Sequence, residues 1–115
     1  MLLLDSEALS SIAHGPPARR DRVRALIREM RRRELSIATV AAVLAELVRG
    51  RPADAAVFGQ LRQERVLVRP VDTAAGVRAG RLLGAARRSS EDAIDAFLVA
   101  VADLAGGAVI ATVDS

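Results

Sequence analysis

The chain has 115 residues, 51% of them hydrophobic, with seventeen basic and fourteen acidic side chains and a formal net charge of +3. Every basic residue is arginine, so an isoelectric point near 11.1 overstates a small charge excess. The length suits one domain with one core. The absence of cysteine excludes disulfide frameworks and thiolate metal sites, and no apolar run approaches the roughly 20 residues of a membrane span, so a cytoplasmic protein with no membrane partner is expected.

Met1 to Leu4 is a short apolar run closed by Asp5-Ser6, which predicts a buried strand passing into a helix capped by Ser6 or Asp5 and reaching about Ala13. His14-Gly15-Pro16-Pro17 breaks that helix. His14 is the only histidine and reads as an exposed loop residue; without a second one, a histidine-based zinc site is excluded. From Ala18 to Arg33, Val23, Leu26, Ile27 and Met30 fall at helical spacing, with eight arginines on the remaining face. That face fits a solvated surface as well as it fits a phosphate or acidic-partner contact.

Leu35 to Ala38 is a second strand, after which Thr39 is expected to cap a helix through Val48 that Gly50 and Pro52 terminate. Ala53 to Arg65 follows as a helix with Val57, Phe58 and Leu61 facing the core. Val66 to Val68 is a third strand, closed by Pro70, and Asp72 caps a helix to about Arg88 with Val77, Leu82, Leu83 and Ala86 turned inward. Ser89 to Asp92 has capping-box spacing before a helix from Asp92 to Leu104. Gly106-Gly107 then leads into a fourth strand, Ala108 to Val113. Strands separated by helix pairs must pair mainly in parallel through right-handed crossovers, so the expected fold is a three-layer α/β/α sandwich.

Four acids stand where packing alone would not place them. Asp5 follows the first apolar run, Glu46 is the only charge between Leu35 and Val48, and Asp114 follows AVIATV. Asp95 interrupts Ala93 to Ala102 and is expected to be partly desolvated beside a positive charge. The other ten lie near arginines, at helix starts or on polar faces, where solvation suffices. In parallel sheets ligands collect at the carboxyl ends of the strands. Asp5 and Asp114 belong at that end, and Glu46 and Asp95 lie on helices that can border it. Four converging carboxylates in a partly dry cleft require a cation. Oxygen-only donors select Mg²⁺ or Mn²⁺, which can activate water for attack on a phosphodiester.

The segments LLLDS, AELVRG, DAFLVAVA and the TVD ending, in this order, resemble the PIN domain, and within it the VapC-type toxins of bacterial toxin and antitoxin pairs. The resemblance covers nearly the whole chain, so one PIN-like domain over residues 1–115 is expected. It implies an Mg²⁺-dependent endoribonuclease, inhibited by a cognate antitoxin and usually dimeric, with Asp5, Glu46, Asp95 and Asp114 as metal-binding and catalytic acids. Thr112 corresponds to a hydroxyl residue two before the last acid, Asp92 to an auxiliary acid, and Ser6 lies beside the first. Glu7 stands where many relatives carry a small hydroxyl or amide residue, and reads as facing solvent in preference to adding a charge at the metal. Relatives usually continue past the position of Ser115 through a short helix and a fifth strand. A truncated domain is therefore expected, its strand from Ala108 to Val113 left as an edge for a second subunit or partner strand to cover.

Two phenylalanines and no tyrosine or tryptophan provide no stacking platform for bases. Contacts to RNA phosphates, or to the antitoxin, then fall to Arg19, Arg20, Arg24, Arg28 and Arg31 on the arginine-rich helix and to Arg87 and Arg88. Two other functions are weighed against the nuclease: a catalytically silent PIN-like module that only binds a partner, and a receiver-type phosphoacceptor domain, disfavoured because the chain has no lysine.

Overall fold

The computed structural model describes residues 1–112. Its elements follow the order β1 (Leu2–Leu4), α1 (Ser6–His14), α2 (Pro17–Arg32), β2 (Ile37–Val40), α3 (Ala41–Leu47), α4 (Asp54–Gln63), β3 (Leu67–Arg69), α5 (Thr73–Ala85), a single 3₁₀ turn (Ser90–Asp92), α6 (Ala93–Leu104) and β4 (Val109–Ala111). The sheet order is β3-β2-β1-β4, with every pairing parallel. The chain steps outward from β1 to β2 and β3, then returns past both to pair β4 with the free side of β1. Right-handed crossovers running in opposite directions put α1 to α4 on one face and α5 and α6 on the other. The result is the expected α/β/α sandwich.

Burial follows sheet position. All residues of β1 and β2 are buried, whereas the edge strand β3 is exposed throughout. One face of the core packs β1 and β2 against Ala8, Leu9 and Ile12 of α1 and Val23 and Ile27 of α2; the other receives Leu98 and Val101 of α6. A smaller cluster joins Ala79 of α5 to Ala96 and Ala100 of α6.

Several helix ends depart from expectation. Asp5 and Asp72 do cap α1 and α5, accepting from the backbone N–H groups of Ala8 and Ala75. Thr39 is not a cap: β2 runs through Val40, and the buried Thr39 hydroxyl donates to the Leu4 carbonyl at 2.8 Å. Ser89 makes no side-chain cap either, because a 3₁₀ turn, and not α6, begins after it. Phe58, Val77 and Ala86 are exposed. The inward positions of α5 are instead Ala75 and Ala79, with Leu82 and Leu83 half-buried. Their small side chains allow α5 to lie close against Ala96 and Ala100.

At the end of α1 a Cβ on Gly15 would lie 2.6 Å from the Ser11 carbonyl oxygen. Glycine is therefore required there, and it lets α2 start at once with Pro17 in the first helical turn.

Candidate active site

β1 lies between β2 and β4, where the direction of the crossovers reverses, and in such sheets the crevice beyond the strand ends is the natural ligand site. Asp5 leaves β1 into that crevice. Its N–H donates to the Ala111 carbonyl at 3.1 Å, the preceding Leu4 carbonyl accepts from Thr39, and its Oδ1 accepts from the Ala8 N–H at 2.8 Å. Strand pairing and helix capping thus fix the carboxylate, and Oδ2 has no hydrogen-bond partner among the described residues. Glu46, in the last turn of α3, accepts from the Ser6 hydroxyl at 2.5 Å through Oε1. Asp95 lies in the first turn of α6.

Asp5, Glu46 and Asp95 line one cavity of about 690 Å³, together with Ser6, Glu7, Ser10, Ser11, His14, Arg19 and neighbouring backbone. Three of the four expected acids, from three separate elements, therefore border the same cavity. Asp114 lies outside the described residues. The expected desolvation is not found. Asp5 is half-buried, Glu46 and Asp95 are exposed, and no cation pairs with Asp95 among the described residues. The cause is helical phase: α6 buries Ala96, Leu98 and Ala100 to Ala102 and leaves Asp95, Val99 and Asp103 on an open row at i, i+4 spacing.

Among the described residues, no three acidic, histidine or cysteine side chains stand close enough together to hold a metal ion. The donor chemistry nevertheless suits a hard divalent cation. Every acid offers only oxygens, and Asp5 and Glu46 each use one oxygen in a protein hydrogen bond.

The auxiliary candidates scatter. Asp92 pairs with Arg88 at 3.8 Å and lines, with Asp95, Leu82, Leu83 and Val99, a second cleft of about 400 Å³ between α5 and α6. Thr112 is exposed just beyond β4. Glu7 is exposed and is also part of the first cavity's wall. Arg24 is tied to α4, donating to Gln60 at 3.4 Å and pairing with Glu64 at 3.8 Å. Arg20, Arg28, Arg31 and Arg87 line neither cavity.

Three residues have more definite surroundings than their sequence context suggested. His14 and Arg19, from the α1–α2 corner, are walls of the acid-lined cavity. Asp54 is buried, not solvated, and accepts from the N–H groups of Arg49, Gly50 and Arg51 at 2.7–3.2 Å. Burial on its own pushes the Asp54 carboxyl up, but those hydrogen bonds and the charge of Arg51 outweigh it and hold the group below its ordinary value. Asp54 clips the α3–α4 loop, in which Gly50 takes a positive φ of 75°, and is not part of the acid-lined cavity.

The parallel α/β/α sandwich, with three carboxylates along one cavity beyond its central strand, is consistent with a nuclease-type fold of the PIN kind. The family model for the PIN domain matches residues 2–115. The chain belongs to the PIN domain family, whose members are generally metal-dependent nucleases. No curated protein and no solved structure matches the chain significantly.

Proposed function

We propose that this PIN domain is an Mg²⁺- or Mn²⁺-dependent endoribonuclease and the toxin of a VapC-type toxin and antitoxin pair in the cytoplasm. The observation that supports the reading is that Asp5, Glu46 and Asp95 all line one cavity beyond the carboxyl end of β1. These three, with Asp114, would hold the ion. A bound divalent ion supplies Lewis acidity and a water of lowered pKa at the phosphodiester. Asp5 contributes a carboxylate whose position is set by the ends of β1 and β4, and Ser6 orients Glu46 toward the cavity. A cognate antitoxin and a second copy of the chain are the proposed protein partners.

The test incubates a structured RNA pool with purified protein and Mg²⁺ or Mn²⁺, beside Asp95→Asn and an EDTA control. Asp95→Asn is expected to lower metal-dependent cleavage by about 10²-fold or more, as when a group stabilising transition-state charge is removed. Equal background in every tube would instead favour a silent partner-binding PIN module. That second reading draws on the open spacing of the acids.

A further inference from the structure

The acid-lined cavity also has one arginine and one histidine in its wall. His14 and Arg19 come from the α1–α2 corner, which contributes none of Asp5, Glu46 and Asp95. Arg19 lies on the inward stripe of α2, one and two helical repeats before the buried Val23 and Ile27, at the i, i+4, i+8 positions of one face. An arginine on that stripe is expected to have a carboxylate partner. Arg24 and Arg32 on the same helix, and Arg33 at its C-cap, have theirs in Glu64 and Glu29. Arg19 has no ion pair or side-chain hydrogen bond among the described residues, and it is half-buried in the cavity wall. Gly15, where a Cβ would meet the Ser11 main chain, lines the same cavity between His14 and Arg19 in the sequence.

We infer that His14 and Arg19 bind the backbone phosphate next to the one that is cut, so that the RNA strand leaves the acids across the α1–α2 corner. The inference rests on the nuclease reading for its substrate and adds to it the direction of the strand. A guanidinium offers paired N–H donors that match two phosphate oxygens, and the histidine adds a further nitrogen donor. The carboxylates and the wall then have separate tasks, the first at the reacting phosphate and the second at its neighbour. Of the arginines of α2, several lack a side-chain partner among the described residues, and Arg19 is the one that lines the cavity.

The experiment measures binding of a non-cleavable 2′-O-methyl oligoribonucleotide by fluorescence anisotropy, at roughly 50 to 200 mM salt, and cleavage of the corresponding RNA with Mn²⁺. The proteins compared are the wild type, Arg19→Gln, Arg19→Lys, His14→Gln and the control Arg62→Gln, which removes an exposed arginine of α4 away from the cavity. Arg19→Gln is expected to weaken binding about tenfold, the loss of one charge-assisted hydrogen bond, and to flatten the salt slope by about 0.7. Arg19→Lys should restore the slope but only part of the affinity, and His14→Gln should cost several-fold. Arg19→Gln behaving like Arg62→Gln, with an unchanged melting curve, would overturn the inference and assign the wall to an acidic protein segment. Wild-type cleavage with binding indifferent to Arg19 would sink the phosphate wall alone. Binding lost in Arg19→Gln without any wild-type cleavage would sink the nuclease reading and leave the wall standing.

Discussion

Asp54 shows how far a single carboxylate can depart from its sequence context. It takes the backbone donors of three consecutive residues, and its folded pKa lies below the ordinary 3.8. A depressed pKa contributes stability that is present above the unfolded value and is lost as pH falls through the folded one. Asp54→Ala is expected to lower the melting temperature at pH 7, and the gap from wild type should narrow as pH drops below about 4; thermal melts across that range check both. Asp5, Glu46 and Asp95 could be singled out in the sequence because each is a charge set against an apolar run. Asp54 could not, since its partners are main-chain N–H groups and loop paths leave no residue-type signature. The shared lining of His14 and Arg19 is equally silent in the sequence, because it depends on how α1 and α2 meet at the Gly15 turn.

Among the elements, the α1–α2 corner is the least tolerant of change. A methyl group on Gly15 would meet main-chain atoms of Ser11, which cannot rotate away as a side chain could. Gly15→Ala should therefore cost about 1–3 kcal/mol in a urea titration and weaken RNA binding by displacing the wall. All eleven segments of regular structure except the 3₁₀ turn were legible from hydrophobic runs and breakers, and Asp5 and Asp72 were legible as caps. Two of the errors have a visible cause. Thr39 was assigned from residue type and Val77 from helical spacing, while the extent of β2 and the packing of α5 on α6 decided them. A threonine that could cap a helix serves a strand once β2 extends two residues further. Likewise valine at 77 yields the inward face to Ala75 and Ala79, because only small side chains let α5 settle on α6.

At the scale of the molecule, the sheet has two unequal borders. β3 is exposed throughout, and β4 has β1 on one side and no strand on the other among the described residues. Half of Val109 is open to solvent, and an unpaired apolar strand edge invites pairing with another chain. Self-association through β4 is expected: light scattering after size exclusion should report a dimer for the wild type, and Val109→Lys should shift it toward monomer. A monomeric wild type would remove the proposed second copy.

The central position of β1 also governs when the sheet can be completed. Leu2–Leu4 must wait for Val109–Ala111, about a hundred residues downstream, before both of its sides are paired, and such distant pairings form slowly because loop closure precedes any gain. The Asp5 main chain is steadied by the Ala111 carbonyl of β4, so the placement of its carboxylate waits on that distant pairing. A chain in which β1 and β4 have not yet paired therefore lacks the contact that fixes Asp5, and the acid-lined cavity takes its shape only late in folding.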